Sequence, residues 1–207
     1  MPTSQTMPFQ GRSPSVPRLE PVDRLPAPSG EDERRRSLAL KHALDRVGAA
    51  AAVVVVAPVL LVTAVALKLF TSGPVFVRDR RIDRDGRSFR MLTFSPLPFL
   101  QRWSIDQTPQ LVNILRGQMS FVGPRPERPE FVELFGANLR RYDQPRRVRP
   151  GITGWSQLQG LTGRAPLAER VRWDDWYVEN WSLRLDAKIV FLTVRDICRG
   201  VHLVSAD

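Results

Sequence analysis

The chain has 207 residues, of which 43% are hydrophobic, and this content is enough for the core of one modest domain. Its formal net charge of +10 suits anionic lipid headgroups, phosphorylated ligands or nucleic acid, and the sign of the charge does not choose between them. Cys198 is the single cysteine, so an internal disulfide is excluded, and His42 and His202 are too few and too scattered for a zinc site.

Residues 1–36 are predicted to form a disordered tail, because they are rich in proline, serine and arginine and poor in apolar residues. The tail lacks the short apolar core of a cleavable signal peptide. The charge run from Glu31 to Arg36 at its end fits two interpretations, a solvated helix start or a contact for lipid headgroups.

Residues 47–67 form an uninterrupted apolar segment, which as a straight helix would be about 31 Å long and could cross a bilayer. Pro58 lies near its middle, where it removes a backbone hydrogen bond. Basic residues flank both ends, and they are Arg34, Arg35, Arg36, Lys41 and Arg46 before the segment and Lys68, Arg78, Arg80 and Arg81 after it. The positive-inside rule is obeyed on both sides only if both ends are cytoplasmic.

A bent, re-entrant hairpin satisfies that rule, since each limb of about ten residues would reach roughly 15 Å, the depth of one leaflet. A spanning helix stays open on the residues alone, because proline is tolerated in spanning helices. A buried helix of a soluble protein fits poorly in so small a chain.

A short β-hairpin is predicted next. Residues 73–78 alternate apolar and polar side chains, and Asp85-Gly86 marks a turn before the run from Phe89 to Phe94. Its simplest role is that of a scaffold lying on the membrane surface.

A helix is predicted to begin at Thr108, as its N-cap, with Pro109 in the first helical position, and to end at Gly117. Asp106 would then lie just ahead of a helix N-terminus, where the helix dipole favours negative charge, so we expect an ionised carboxylate and a site that welcomes phosphate. Arg125, on a stiff turn between Pro124 and Pro126, offers a planar donor fork suited to a diphosphate. The apolar face of this helix consists of Leu111, Ile114 and Leu115.

The C-terminal part is predicted to be helical. Residues 133–142 carry an apolar stripe that suits either a core or the bilayer surface, because basic residues accompany it. A last helix is predicted from Leu183 to Val194. Trp173, Trp176, Tyr177 and Trp181 are equally compatible with packing and with interfacial anchoring.

These residues together resemble the signature of the bacterial sugar transferases, the monotopic polyprenyl-phosphate phosphoglycosyl transferases. The resemblance covers nearly everything after residue 40, and so many ordered matches are more specific than any one motif. The matching residues are Ser104-Ile105-Asp106, Pro109-Gln110-Leu111, Asn113, Gly117, Met119-Ser120, Val122-Gly123-Pro124-Arg125-Pro126, Arg149-Pro150-Gly151-Ile152-Thr153-Gly154, Gln157, Gly160, Asp174, Tyr177, Trp181-Ser182-Leu183 and Asp186.

The resemblance implies an α-rich α/β fold, a small monotopic catalytic domain on the cytoplasmic face of the bacterial inner membrane. Residues 37–72 would form a re-entrant membrane helix, kinked at Pro58 and with Lys41 and Asp45 at its mouth. Residues 73–207 would form the transferase domain, with a short β-hairpin and amphipathic surface helices.

The implied reaction moves a phospho-sugar from a UDP-sugar to polyprenyl phosphate, such as undecaprenyl phosphate, in exopolysaccharide or glycoconjugate assembly. Asp106 would be the nucleophile, with Gln107 beside it, while Mg²⁺ held by Asp106 neutralises the diphosphate. The residues assigned to phosphate or nucleotide binding are Arg125, Pro124, Pro126, Arg102 and Gln157, and the further site candidates are Asp174 and Tyr177. The implied partners are UDP-sugar, polyprenyl phosphate and membrane lipids, without nucleic acid, and a homodimer is left open.

The chain departs from the family pattern in two places. Gln107 stands where the family has a glutamate, and an amide is a weak Mg²⁺ ligand that takes no proton at neutral pH. Residues 93–97, Thr-Phe-Ser-Pro-Leu, replace a Lys-Phe-Arg-Thr-Met motif, so both of its cations are gone. Gln101 also stands where an arginine is common, with Arg102 adjacent. Two interpretations follow, an active divergent branch, which we favour, and a catalytically impaired paralogue that serves as a membrane adaptor.

Overall fold

A computed structural model describes residues 31–83, 85–130, 148–161 and 166–199. Within these ranges the protein is a mostly helical α/β structure with a long apolar N-terminal helix, a β-hairpin and a small parallel sheet. The predicted fold class is therefore confirmed at this level. The predicted amphipathic helix at 133–142 and residues 1–30 of the predicted tail lie outside the described residues.

The elements follow one another in a simple order. They are helix α1 (Glu31–Phe70), strands β1 (Phe76–Ile82) and β2 (Ser88–Phe94), helix α2 (Pro98–Arg102), a 3-10 helix (Ile105–Gln110), helix α3 (Leu111–Leu115), strands β3 (Ser120–Val122) and β4 (Gly151–Thr153), and helices α4 (Trp155–Leu158), α5 (Leu167–Glu179) and α6 (Leu183–Cys198).

Helix α1 is 40 residues long and runs through Pro58 without interruption. The two separate limbs expected from the sequence are therefore not formed, because one proline removes a single hydrogen bond from a helix that is well formed on both sides. The helix begins at Glu31, so the charge run assigned to the tail is its first turn and a half. Within the described ranges, α1 is the one helix long and apolar enough to cross a membrane.

One face of α1 packs against the rest of the domain along nearly its whole length. Leu38 packs against the cluster around α5 and α6. Four residues in the middle of α1 pack against α3 and β2, namely Ala49, Ala52, Val53 and Val56, and Leu60, Ala64 and Leu67 pack with Phe94 and Leu100. The opposite face remains apolar and exposed, with Val55 76% and Val62 68% accessible. A helix that is apolar all round needs a second apolar environment for its outer face.

A buried charge cluster joins the start of α1 to α6. The Lys41 ammonium donates to Asp186 at 2.6 Å, and the Tyr177 hydroxyl and Trp181 indole donate to the same carboxylate at 2.7 and 3.1 Å. Asp45 lies 4.0 Å from the ammonium. Lys41 and Asp45 are 3% and 7% exposed, so both of these predicted mouth residues are buried.

The predicted hairpin is confirmed as an antiparallel pair of β1 and β2, in which Phe76 faces Phe94 and Ile82 faces Ser88. The Asp83 carboxylate closes the turn by accepting from the amides of Asp85 and Arg87 at 2.9 and 2.8 Å. Because successive side chains on a strand point to opposite faces, one face of β1 presents every second residue to the rest of the domain.

The predicted helix start at Thr108 is wrong. The helical segment begins at Ile105 as a 3-10 helix and continues into α3, because Ser104 takes a left-handed conformation (φ 54°) that turns the chain earlier. The Thr108 hydroxyl donates back to the carbonyl of Ile105 at 2.6 Å instead of capping. Gly117 ends α3 with a positive φ of 74°, as expected.

The C-terminal core is aromatic. Trp155, Tyr177 and Trp181 are fully or almost fully buried, so Tyr177 and Trp181 pack in the interior and are not interfacial anchors. The predicted last helix is confirmed as α6, and the hydroxyl of Ser182 caps it by accepting from the Leu185 amide at 3.2 Å. Strands β3 and β4 are parallel and approach so closely that a Cβ on Gly123 or Gly151 would run into the facing backbone.

Replacing Lys41 with methionine should destabilise the protein strongly, because it leaves the Asp186 carboxylate buried without its cation. Removing one partner of a buried ion pair costs about 3–5 kcal/mol. Denaturant unfolding of the purified protein in detergent measures the loss. Lys68→Met on the exposed end of the same helix is the control and should change stability by less than about 0.5 kcal/mol. Equal effects of the two substitutions would show that the buried cluster does not hold α1 in place.

Candidate functional site

A cleft of about 190 Å³ lies between the β-hairpin, the 3-10 helix and the Pro-Arg-Pro turn at residues 124–126. It brings together five of the residues singled out from the sequence, namely Asp106, Gln107, Arg125, Pro126 and Gln157. These residues come from three separate parts of the chain. Their convergence makes this cleft the candidate active site.

Asp106 is one of the two carboxylates that line the cleft. It lies in the first turn of the 3-10 helix rather than ahead of a helix, and one of its oxygens, Oδ1, is buried without a hydrogen-bond partner. Burial raises the pKa of Asp106 above its ordinary value of 3.8, although the amides of Asp106 and Gln107 pull the pKa downward. Desolvation thus outweighs the helix-end effect expected from the sequence, and the carboxylate is left under-solvated.

Glutamine side chains form much of the remaining polar wall. Gln107, Gln110 and Gln157 are 8%, 4% and 3% exposed, and all three line the cleft together with Gln101. Gln157 donates to the Ile152 carbonyl at 3.3 Å, while its Oε1 is buried without a partner. Such amides both donate and accept hydrogen bonds, so they suit the hydroxyl groups of a sugar.

The Pro-Arg-Pro turn is held from two sides. From β1, the Arg81 guanidinium donates to the Pro126 carbonyl at 3.1 Å and the Ile82 amide donates to the Glu127 carbonyl at 2.9 Å. From α5, Arg170 forms an ion pair of 2.8 Å with Glu127, and both side chains are buried. Arg125 therefore projects from a backbone that is fixed on either side of it.

Three charged residues of the cleft were missed by the sequence analysis, namely Asp79, Arg81 and Arg128. Asp79 accepts from Arg81 at 2.7 Å and from Arg128 at 3.5 Å. The alternation of β1 contained a signal for the first two, because residues 77, 79 and 81 share one face of the strand. Arg128 lies two residues after the turn, but no local pattern marks it.

The other predicted site residues do not line the cleft. Arg102 is exposed, and Asp174 accepts from the Ser156 hydroxyl at 2.6 Å. Tyr177 donates to Asp186, and burial raises the pKa of Tyr177 well above 10.0, so it acts as a neutral packing and hydrogen-bonding residue.

The remaining predicted residues have structural positions outside the cleft. Pro124 contributes its carbonyl, which accepts from the Gly151 amide at 2.9 Å and so fixes the turn. Lys41, Asp45 and Pro58 belong to α1 and do not line the cleft either.

The carboxylates of the cleft are the side chains that could hold the expected Mg²⁺. Among the described residues no group of three histidine, cysteine, aspartate or glutamate side chains is placed to hold a metal ion. Asp79 is engaged by two arginines, whereas Asp106 lines the cleft and its buried Oδ1 has no hydrogen-bond partner. Mg²⁺ is often held by one or two carboxylates together with substrate phosphates. The donors thus fit an ion that arrives with a diphosphate, with Asp106 as its protein ligand.

The sequence matches the family model described as bacterial sugar transferase over residues 36–97 and 98–200. A UDP-glucose:undecaprenyl-phosphate glucose-1-phosphate transferase of Escherichia coli (strain K12) is 36% identical over 75% of this chain and 39% of its own length. A UDP-N-acetylgalactosamine-undecaprenyl-phosphate N-acetylgalactosaminephosphotransferase of Aeromonas hydrophila is 33% identical over 78% of this chain and 44% of its own. The exopolysaccharide production protein ExoY of Rhizobium meliloti (strain 1021) is 32% identical over 76% and 85%.

The chain spans about two fifths of the length of the first two of these relatives and most of the third. The family match, in contrast, covers most of this chain and includes both α1 and the cleft. The chain therefore belongs to the bacterial sugar transferase family.

Proposed function

We propose that the protein transfers a sugar 1-phosphate from a UDP-sugar to undecaprenyl phosphate, at the cytoplasmic face of the inner membrane, as a step in the assembly of an exopolysaccharide or another glycoconjugate. The observation that carries the proposal is Asp106, a half-buried carboxylate with a partnerless oxygen in a cleft that Arg125 also lines. The names of the relatives support the substrate class, and they include two different sugars. The sugar is therefore left unassigned.

The reaction proceeds in two displacements at phosphorus. A carboxylate oxygen of Asp106 attacks the phosphorus that carries the sugar, the bond from that phosphorus to the bridging oxygen breaks, and uridine monophosphate leaves. An oxygen of undecaprenyl phosphate then attacks the same phosphorus and releases the carboxylate, which yields the lipid diphosphosugar. Dividing the transfer in this way avoids bringing two phosphorylated substrates together in one step.

The charges of the cleft suit this chemistry. Three arginines and two carboxylates line it, namely Arg81, Arg125, Arg128, Asp79 and Asp106. Arg125 is the residue proposed to bind the diphosphate, because its guanidinium offers a fork of donors from a clamped turn. Mg²⁺ bound with the donor would supply further neutralisation of the diphosphate. Gln107, which replaces the family glutamate, contributes hydrogen bonds rather than a proton acceptor.

The packing of α1 supports a monotopic placement, in which both ends of the helix stay on the cytoplasmic side of the membrane. Its start is tied to Asp186, while Leu67 near its end packs against Phe94 and Leu100 of the same domain. A helix that spanned the bilayer would carry its two ends to opposite sides, away from a domain that lies on one side only. The exposed apolar face of α1 is then available to acyl chains on the outer side of this contact.

The placement of α1 can be tested by labelling single cysteines at its two ends. In a Cys198→Ser background, Arg36→Cys and Ser72→Cys should both react with a membrane-impermeant maleimide from the cytoplasmic side and not from the periplasmic side. Inverted and right-side-out vesicles supply the two accessibilities. Labelling of the two positions from opposite sides would establish a spanning helix and overturn the monotopic placement.

A second function is favoured by one observation. Gln107 is buried in the cleft where a carboxylate is expected, so the chain would also suit a catalytically impaired paralogue that acts as a membrane adaptor in glycan assembly. The two functions differ in a simple assay. The adaptor releases no uridine monophosphate when the pure protein is given UDP-sugar, undecaprenyl phosphate and Mg²⁺.

Asp106→Asn should abolish the covalent intermediate and lower the rate of nucleotide release by at least about 10³-fold, because the amide is a far poorer nucleophile. Intact-protein mass spectrometry after incubation with UDP-sugar should find the mass of a sugar phosphate on the wild type and none on the variant. Asp85→Asn on the hairpin turn is the matched control and should keep the adduct. A wild type that binds donor without forming an adduct would remove the covalent mechanism.

The raised pKa of Asp106 should appear in the pH dependence of kcat/KM. The reaction needs the carboxylate, so the rate should fall about tenfold per pH unit below a midpoint that lies above 3.8, the ordinary aspartate value. Circular dichroism at each pH checks that the protein stays folded. A rate that remains constant down to pH 3.8 would contradict the role of a buried Asp106 as the nucleophile.

A further inference from the structure

We propose that Arg128 is a second diphosphate-binding arginine of the cleft, held ready by Asp79, which gives it up when the donor binds. The inference rests on the proposed donor site and assigns it a residue that the sequence motifs do not mark. Arg128 would also supply positive charge that the hairpin lacks, because Thr93 and Ser95 stand where the family has cations.

The two arginines beside Asp79 are held very differently. Arg81 donates to the Pro126 carbonyl at 3.1 Å and to Asp79 at 2.7 Å, and its side chain is 6% exposed. Arg128 reaches the same Asp79 oxygen, Oδ2, only at 3.5 Å, and its side chain is 40% exposed. Arg81 is therefore a fixed part of the wall, whereas Arg128 is held by one long contact that a ligand can replace.

Little free energy is lost when Arg128 exchanges Asp79 for a phosphate oxygen. A partly exposed ion pair of this length contributes little to stability, because water and salt screen it. A hydrogen bond from a guanidinium to a phosphate oxygen is charge-assisted, shorter and stronger. Asp79 keeps its bond from Arg81 when Arg128 leaves, so the carboxylate is not stranded without a cation.

The location of Arg128 also fits a diphosphate. It lies two residues beyond the Pro-Arg-Pro turn and lines the same cleft as Arg125 and Asp106. Two arginines from one clamped loop would then contact the anionic part of the donor, opposite the 3-10 helix that carries the nucleophile. Asp79 competes with the anionic ligand for Arg128 until this arginine changes partner.

Opposite responses of two variants test the exchange. UDP, which carries the diphosphate without a sugar, is titrated calorimetrically into the full chain in lipid nanodiscs. Arg128→Gln should weaken UDP binding about tenfold, as expected for the loss of a charge-assisted hydrogen bond. Asp79→Asn should tighten binding about threefold, because Arg128 is no longer held by a competing anion. An ion pair with a purely structural role predicts weaker binding for both variants.

The matched controls remove the same charges outside the cleft. Arg80→Gln, on the exposed face of β1, and Asp85→Asn, in the hairpin turn, should each change UDP affinity by less than about twofold. Arg128→Gln indistinguishable from Arg80→Gln would overturn the proposal. So would Asp79→Asn weakening the affinity.

The double variant decides between partner exchange and general repulsion. In the Arg128→Gln background, Asp79→Asn should lose its tightening effect, since no exchanging arginine remains. A tightening that persists there would show that Asp79 merely repels the ligand and would refute the exchange. A wild type that does not bind UDP at all would instead overturn the proposed donor site itself, and the inference with it.

Discussion

The packing of the membrane helix against the catalytic domain is the contact on which the site depends. The middle of α1 packs on α3 and on Met91 of β2, and its second half packs on Phe94 and Ile105. Met91 and Phe94 line the cleft, and Ile105 directly precedes Asp106. The long apolar helix thus also forms the support behind Asp106, the proposed nucleophile. The proposed transfer to a lipid acceptor would need this proximity, because the acceptor phosphate would lie at the membrane surface.

The Pro-Arg-Pro turn, which forms another wall of the cleft, is held by a different kind of contact. Two backbone hydrogen-bond acceptors and one buried ion pair fix the Pro-Arg-Pro turn between β1 and α5, without help from α1. The carboxylate and the arginine are therefore held by separate elements, one packed on the membrane helix and one on the hairpin and α5. Arg125 is placed by rigid backbone, whereas Asp106 is placed by apolar packing, and the cleft is the space that these two supports leave between them.

Local features were predictable from the sequence, and features that depend on distant contacts were not. The hairpin followed from alternation and an Asp-Gly turn, and the last helix followed from its periodicity. The helix start was predicted too late in the chain, because the left-handed backbone conformation of Ser104 is not signalled by any residue propensity. The ion pair of Lys41 with Asp186 was not predicted, because the two residues lie 145 positions apart in the sequence. The resemblance grouped Asp106 with Arg125, which line one cleft, but it did not mark Arg81 and Arg128 as residues of that cleft.

The electrostatics of the cleft depend on which charged residues of the family pattern this chain lacks and which it keeps. Without the glutamate next to Asp106 and without the hairpin cations, fewer fixed charges of either sign surround the nucleophile. Burial already raises the pKa of Asp106, so a neighbouring carboxylate would raise it further by repulsion, and an amide at position 107 avoids that effect. Arg81, Arg125 and Arg128 line the same cleft and provide positive charge for the proposed diphosphate, whereas position 107 beside Asp106 is uncharged.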